Sequence, residues 1–266
     1  MSPLIMSPPE VSIVTPMYNA QQWLNGLFET VRNQSDPNFE HLLVDDGSSD
    51  GSVEAALRLA TGDPRVKVLR MPSNAGPAAA RNLAIEAAEG RYLAFLDADD
   101  TWLPQKLETQ LGWMKLHGHA FTYHDYRHMS HDGQKLGAVV SGPDILTLKT
   151  LHTRRGTGCL SVMLDREQLP WFRFPDLQRS LPEDFLAWLA IIERGHFGHR
   201  CPEDLGRYRL TPESRSSNKL SAAVSVWKLY RGVEKLPLLT AMSWWLQYAC
   251  NARRMYRRAV PVVKPI

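Results

Sequence analysis

The first hundred residues alternate between short apolar runs and segments in which apolar residues recur every three or four positions. The apolar runs, which predict buried strands, lie at residues 11–15, 39–44, 66–69 and 92–96. Between them, spacings such as Trp23, Leu27 and Val31 are typical of helices that pack one face against a sheet. This alternation predicts right-handed crossovers and a parallel sheet covered on both faces, so we expect an α/β fold.

Polar residues gather where each predicted strand ends. They are Tyr18-Asn19, Asp45-Asp46, Ser73-Asn74 with Gly76, and Asp97 to Asp100. Ligands of open parallel sheets bind at the carboxyl ends of the strands, at the point where the strand order reverses. The four clusters therefore predict a polar, partly acidic binding site along one edge of the sheet.

The cluster Asp97-Ala98-Asp99-Asp100 is the most informative of the four. Carboxylates crowded at the end of a buried strand repel each other and resist desolvation, unless a cation or polar ligand compensates their charge. Mg2+ and Mn2+ prefer such oxygen ligands and often share them with a substrate diphosphate. The alternative is an acidic N-cap for the segment that begins at Trp102.

From about residue 105 the pattern changes. A helical spacing ends near Gly118, Asp132-Gly133 marks a hairpin-type turn, and Pro182 opens a further helix that Gly195 closes. Residues 220–258 are predicted to be mainly helical. We therefore divide the chain into three parts, which are residues 1–104, 105–218 and 219–266.

Charge and cysteine content narrow the class of protein. The net charge of +3 combines +8 in residues 219–266 with −5 in residues 1–218, so the chain lacks the overall basic footprint of a nucleic-acid-binding protein. Three widely separated cysteines fit neither a metal site nor a disulfide framework, which indicates a reducing compartment. Neither a signal peptide nor an apolar run of transmembrane length is evident. We expect a cytoplasmic protein.

The basic third part places apolar and aromatic residues before a group of arginines. These residues are Leu236, Leu238, Leu239, Met242, Trp244, Trp245, Leu246 and Tyr248, followed by Arg253, Arg254, Arg257 and Arg258. The pattern is typical of a helix that lies on an anionic membrane surface and is too short and too charged to span it. The alternative is a core-packing helix with a solvated basic end.

Taken in order, the motifs resemble those of the inverting nucleotide-sugar glycosyltransferases of family 2, which have the GT-A architecture. The matching pieces are Val14 to Asn19, Val44 to Ser48, Asn74 to Gly76, Arg81-Asn82, Phe95 to Asp100, Glu183-Asp184, Tyr208-Arg209 and Ser214 to Ser217. The chain resembles in particular bacterial enzymes that build capsule, exopolysaccharide or O-antigen chains. The resemblance covers about residues 10–220.

This resemblance implies a Rossmann-like, mostly parallel sheet with helices on both faces, an acceptor-side extension and C-terminal helices. Residues 1–104 would be the nucleotide-sugar-binding half and residues 105–218 the acceptor-binding half. The implied reaction moves a sugar, with inversion, from a nucleotide diphosphate donor, by default a UDP-sugar, to a hydroxyl of a lipid-linked or growing bacterial glycan. Mn2+ or Mg2+ would be the cofactor, and the enzyme would lie peripherally on the cytoplasmic face of the inner membrane.

The resemblance also implies roles for residues on the donor side. Asp46 would accept a hydrogen bond from the base, usually uracil N3–H, while Tyr18 would border the base and Pro16 would shape the backbone beside it. Gly76 would allow close approach of the nucleotide, and Arg81 would lie near it. From the residues alone, Asp46 could equally end a strand in a turn, Tyr18 could be a core aromatic and Arg81 a solvated surface residue.

At the acidic cluster, the resemblance places Asp97 near the ribose and sugar and assigns the metal to Asp99. From the residues alone, Asp100 is expected to cap a helix after Trp102. Inversion requires a base to remove the acceptor's proton. The resemblance gives this role to Asp184, with Glu183 as an acceptor-side neighbour, whereas helix capping is the alternative for both.

Three further residues receive weaker assignments. Trp188 either stacks on a sugar or lies in the core, His124 is a candidate neighbour of the donor sugar, and Arg215 is a candidate diphosphate contact. All five histidines between residues 117 and 131, His124 included, are expected in loops.

Two other functions remain open from the sequence. A sugar nucleotidyltransferase would favour a Gly-rich loop with Arg and Lys directly after the first strand, where this chain has Tyr18-Asn19-Ala20. A non-catalytic nucleotide-sugar-binding protein would not need Asp99 and Asp184, both of which are present.

Overall fold

The alternating pattern of the first hundred residues forms four parallel strands with helices between them. The elements are β1 (Val11–Met17), α1 (Leu24–Arg32), β2 (Phe39–Asp45), α2 (Ser52–Ala60), β3 (Val66–Arg70), α3 (Pro77–Ala87) and β4 (Tyr92–Phe95). The computed structural model describes residues 8–154, 156–175, 182–211 and 219–257. The predicted strands and crossovers are confirmed in this part of the chain.

The rest of the chain adds six strands and five helices among the described residues. They are β5 (Thr101–Trp102), α4 (Lys106–His117), β6 (Phe121–Met129), β7 (Leu136–Val140), β8 (Ile145–Leu146), α5 (Leu148–Thr153), β9 (Val162–Asp165), α6 (Glu183–Glu193), β10 (Gly198–Arg209), α7 (Lys219–Lys228) and α8 (Leu238–Arg257). A 3-10 turn at Cys159–Ser161 precedes β9, and a π-helical turn at Leu229–Val233 follows α7. The predicted hairpin at Asp132-Gly133 joins β6 to β7.

All ten strands form one sheet in which β9 runs against its two neighbours. The main order is β3-β2-β1-β4-β9-β6-β10-β5, with β7 on β6 and β8 on β10. The strands β1 to β4 are parallel, β9 is antiparallel to β4 and to β6, and β10 is parallel to β6. The carboxyl ends of β1 to β4, β6 and β10 therefore lie at one edge, and the strand order reverses between β1 and β4.

Helices cover both faces of the sheet, as the pattern predicts. On one face, Leu24 and Phe28 of α1 and Leu107 of α4 belong to one buried cluster. On the other face, Ala84 of α3 and Trp188 of α6 belong to a second cluster, which the C-terminal segment extends. Burial on both faces suits the apolar majority of β1, β2 and β4. The polar residues of β1 and β2 pair with each other, Ser12 with Glu40 at 2.6 Å and Thr15 with His41 at 3.0 Å.

The long strands β6 and β10 carry polar residues that the sequence pattern does not identify as strand. Arg200 of β10 makes two hydrogen bonds of 2.7 Å to Asp125 of β6, and Arg127 donates to Asp204 at 2.6 Å. His124 and His128 also lie in β6 and are buried, so the expectation that these histidines occupy loops is wrong. The cross-strand pairs satisfy these arginines and aspartates, which stabilises both strands despite their charged composition.

The described residues of the third part, 219–257, are mainly helical, as predicted, and pack against the rest of the molecule. Within the described residues, no helix is both long and apolar enough to cross a membrane. The division at residues 104 and 218 stays a prediction, and the single sheet continues from β5 to β10 across the first two parts.

Candidate active site

Asp46, directly after β2, is tied to the loop that leads into α3. Its Oδ1 accepts a hydrogen bond from the Ala75 amide at 2.7 Å, and its Oδ2 accepts one from the Gly76 amide at 2.8 Å. The carboxylate therefore holds two strand-end loops together. Because each carboxylate oxygen has a further lone pair, Asp46 also keeps the capacity to accept a bond from a base.

Gly76 has a backbone conformation that few other residues adopt, with φ 98° and ψ 164°. It immediately precedes Pro77, which occupies the first turn of α3. The amides at the start of this helix suit an anion, since they lack partners within the helix. The loop is therefore shaped by Gly76 and held by Asp46.

A substitution at Gly76 tests this role. We expect Gly76→Ala to lower the free energy of unfolding by about 1–3 kcal/mol, because a Cβ at this φ is strained. Urea unfolding followed by circular dichroism measures the change. Gly112→Ala is the matched control, because Gly112 lies within α4 and an added Cβ meets no atom within 4 Å. That variant should be neutral or up to about 1 kcal/mol more stable, and equal losses in the two variants would contradict the assignment.

The end of β1 presents an aromatic ring to solvent. Tyr18 is 53% exposed, which excludes the alternative that it is a core aromatic. The preceding Pro16 is half-buried and pairs with Val44 in the sheet. Asn19 follows with φ 47°, and its amide donates to the Ser48 hydroxyl at 3.0 Å. Tyr18 is thus held on a fixed turn at the same edge as Asp46.

The turn that begins at Asp97 carries the crowded carboxylates, and Arg209 fastens it. The Asp100 amide donates to the Asp97 carbonyl at 3.1 Å. Arg209, at the end of β10, donates its amide to Asp100 Oδ1 and its Nε to the Asp99 carbonyl, both at 2.8 Å. Arg209 belongs to one of the motifs, but the sequence does not reveal its contacts with Asp99 and Asp100, because these residues are distant in the chain.

Burial and crowding raise the pKa values of two carboxyl groups in this turn. Burial raises the pKa of Asp99 to about 6, and the neighbouring charge of Asp97 adds to the rise. Burial together with Asp99 and Asp97 also raises the pKa of Asp100 well above its usual range. Asp100 Oδ2 is buried and has no hydrogen-bond partner among the described residues. A cation beside this turn would stabilise the ionised carboxylates.

The donor set around the turn fits a hard cation that takes most of its ligands from elsewhere. Among the described residues, no group of three or more histidines, cysteines and acids is arranged to hold a metal ion alone. Mg2+ and Mn2+ keep several waters and take phosphate oxygens, so one or two carboxylates suffice. Asp99 is half-buried and has the oxygen chemistry required.

Arg81 lies between the turn that begins at Asp97 and the start of α6. Its side chain is 5% exposed, and it contacts Asp97 at 2.5 Å and Glu183 at 3.5 Å. Burial alone would lower the pKa of Arg81, but the charges of Asp97 and Glu183 outweigh this effect and raise it. Arg81 is therefore a fixed cation, and the alternative of a solvated surface residue is wrong.

Glu183 and Asp184 lie in the first turn of α6, where acidic side chains stabilise a helix. Both are half-buried, and Asp184 Oδ1 accepts a hydrogen bond from the Phe185 amide at 2.7 Å. Through the Arg81 contact with Glu183, this turn lies beside the acidic turn that follows β4. The arrangement brings the carboxylates at the start of α6 close to those of the acidic turn.

Cys159 is a member of the site that the sequence did not identify. Burial raises the pKa of its thiol well above the usual range, and the charges of Asp97, Asp184 and Glu183 act in the same direction. The thiol is therefore a neutral group among the carboxylates of both sides. A single cysteine after two glycines gives no signal in the sequence that would have placed it there.

Three weaker assignments receive no support from the structure. Trp188 is 1% exposed and packs on Phe172 and Phe174, so it is a core residue and not a surface for stacking a sugar. His124 is fully buried, and burial together with nearby Lys106 lowers its pKa to about 3, so it does not face a donor sugar. Arg215 lies outside the described residues.

Sequence comparisons relate the chain to sugar-transferring enzymes. Residues 12–142 match the family model described as glycosyl transferase family 2. TuaG of Bacillus subtilis, whose name places it in teichuronic acid biosynthesis, is 38% identical over 92% of this chain and 96% of its own length. WfgD of Escherichia coli is 35% identical over 86% of this chain and 88% of its own length. It is named UDP-Glc:alpha-D-GlcNAc-diphosphoundecaprenol beta-1,3-glucosyltransferase.

A comparison of folds gives a consistent result. The mannosyltransferase PcManGT of Pyrobaculum calidifontis, solved with GDP-Man and Mn2+, superposes with a TM-score of 0.67. The superposition covers 96% of this chain and 77% of that one, at 16% sequence identity. At this identity the similarity concerns the fold, which is the GT-A architecture expected from the motifs.

Proposed function

Because the chain belongs to glycosyl transferase family 2 and is therefore a glycosyltransferase, we propose that it transfers one sugar from a UDP-sugar to an acceptor hydroxyl with inversion. Mn2+ or Mg2+ assists the transfer. The acceptor is a lipid-linked or growing bacterial glycan, as the name of WfgD suggests for a relative. We also propose that the enzyme acts at the cytoplasmic surface of the inner membrane.

The observation that carries the proposal is the crowding of Asp97, Asp99 and Asp100 at the point where the strand order reverses. Burial and mutual repulsion raise the pKa of Asp99 to about 6, and a divalent cation would relieve this repulsion. A nucleoside diphosphate needs such a cation, because its negative charge grows as it departs from the sugar.

The residues of the chain divide the remaining work. Tyr18 and Asp46 border the base, Asp97 lies towards the ribose and sugar, and Asp99 would hold the cation. When bound there, Mn2+ or Mg2+ would supply the positive charge that neutralises the diphosphate. Asp184 takes the proton of the acceptor hydroxyl, whose oxygen forms a bond to the anomeric carbon as the bond from that carbon to the diphosphate breaks. Attack from the face opposite the leaving group inverts the anomeric configuration.

A donor screen with a metal-site variant tests the proposal. UDP-, GDP- and dTDP-sugars are incubated with the protein and Mn2+ or Mg2+, and release of nucleoside diphosphate is measured with and without chelator. We expect release from a UDP-sugar that chelator abolishes. Asp99→Asn should lower metal-dependent donor binding by at least tenfold, because an amide is a poorer ligand for a hard cation.

Asp144→Asn is the control for this experiment, because the Asp144 side chain is 90% exposed. It should leave donor binding within twofold of the wild type. Full turnover in chelator would refute the metal role. Release of pyrophosphate from a nucleoside triphosphate, in place of nucleoside diphosphate from a UDP-sugar, would indicate a nucleotidyltransferase instead.

A further inference from the structure

The inner face of helix α8 packs against the core of the protein. Ala241, Trp244 and Tyr248 contact the buried cluster that contains Trp188 and Tyr230. The Trp244 ring lies 4.7 Å from the ring of His152, and Asn251 donates to the Thr153 carbonyl at 2.7 Å. The aromatic residues that the sequence pattern assigned to a membrane therefore point largely into the protein.

The outer face of α8 is apolar and exposed. Leu238, Leu239, Met242 and Leu246 are 52%, 81%, 46% and 56% exposed. At 3.6 residues per turn, these four positions fall within about 100° of arc, opposite the inner face. Four large apolar side chains on one stripe form a surface that water solvates poorly.

The charge around this stripe has one sign. Lys228, Arg231 and Lys235 precede it and are exposed, and exposed Arg253 continues the same stripe at the far end of the helix. The sequence adds Arg254, Arg257 and Arg258. Glu234 is the single acidic residue between positions 219 and 266, and it faces inward, 2.6 Å from His152.

We propose that the outer face of α8 docks on an anionic lipid surface. The leucines and Met242 would enter the interface between headgroups and acyl chains, while the flanking lysines and arginines contact the headgroup phosphates. A protein partner or a second copy would also bury the apolar stripe. The concentration of cations with no acidic side chain facing outward favours a surface that is uniformly negative.

Docking through α8 would bring the site near Asp184 close to the lipid surface. This inference rests on the proposed function. The centre of the His152 ring lies 4.7 Å from that of Trp244 of α8 and 5.2 Å from that of Phe185. Phe185 follows Asp184, the proposed base. The lipid surface would therefore lie about one helix diameter beyond His152, close enough to present an acceptor whose lipid end stays in the bilayer.

Vesicle sedimentation tests the docking without donor or acceptor. The full chain is mixed with vesicles of phosphatidylglycerol and phosphatidylcholine, or of phosphatidylcholine alone. We expect binding to the anionic vesicles that is at least tenfold tighter and is weakened by salt. The double substitution Leu239→Glu with Leu246→Glu should weaken this binding at least tenfold while leaving the thermal unfolding midpoint unchanged, because both side chains are exposed.

Leu116→Glu is the matched control, because Leu116 is 79% exposed on α4, outside the docking stripe. It should bind vesicles within twofold of the wild type. Equal binding by the double variant, or no binding by the wild type, would overturn the proposal. So would a dimer that the double variant dissociates with no change in vesicle binding. Donor hydrolysis measured without vesicles reports separately on the proposed function.

Discussion

Asp184→Asn should abolish sugar transfer while leaving donor binding intact. The amide has the shape of the carboxylate and retains an oxygen for the Phe185 amide, so the first turn of α6 is preserved. It cannot take a proton from the acceptor, and loss of a general base costs about 10²- to 10⁴-fold in rate. Transfer to the acceptor and binding of the UDP-sugar are measured in parallel, by product analysis and by calorimetry.

Glu193→Gln provides the comparison for this experiment. Glu193 is the exposed last residue of the same helix, so its substitution changes the charge of α6 away from the site. Its transfer rate should remain within twofold of the wild type. If Asp184→Asn transferred sugar at the wild-type rate, another group would have to be the base. If it lost donor binding to the same extent as transfer, the residue would serve the donor and not the acceptor.

Arg81→Met should have the largest effect on stability. The substitution removes the cation that Asp97 and Glu183 share and leaves both carboxylates without it. Breaking a buried pair costs about 3–5 kcal/mol, and we expect roughly 3 kcal/mol here because Asp97 keeps some contact with water. Urea unfolding measures this loss. Donor binding and transfer should both fall, since Arg81 joins the donor-side turn to the start of α6.

Two further variants are compared with Arg81→Met, one that keeps the charge of Arg81 and one that removes an arginine elsewhere. Arg81→Lys keeps the cation but not the planar fork, so it should recover part of the stability while transfer stays low. Arg58→Met removes an exposed arginine of α2 and should change stability by less than about 0.5 kcal/mol. An Arg81→Met variant as stable as Arg58→Met would show that the two contacts contribute nothing to the fold.

The first four strands could be predicted because each contains a short apolar run, and β1, β2 and β4 are buried along nearly their whole length. The later strands could not. Strand β10 contains Arg200 and Asp204, whose charges suggest a loop until their partners on β6 are known. Pairing over such a distance in the chain leaves no local signal, and it also hides the burial of His124 and His128.

The residues of the candidate site also fall into two groups, those whose position the sequence predicts and those that only the packed fold brings together. Asp46, Asp97 and Asp99 follow strands whose ends are predictable, so the sequence alone indicates that they share one edge of the sheet. The contact of Arg81 with Glu183 joins two helices 102 residues apart in sequence, and only the packed fold brings them together. Cys159 joins the site for the same reason.

The contacts of Arg209 bear on whether a fragment of the chain could fold alone. Arg209 follows Asp99 by 110 residues in the chain, yet its side chain holds the acidic turn through the Asp99 carbonyl. A fragment that ends at residue 104 would retain β1 to β4 and lose the contacts of Arg209 with Asp99 and Asp100. We therefore expect that residues 1–104, the predicted donor half, would not fold as an autonomous module. A chimera that grafts it onto a foreign acceptor half would need an arginine at the equivalent strand end to keep its carboxylates in place.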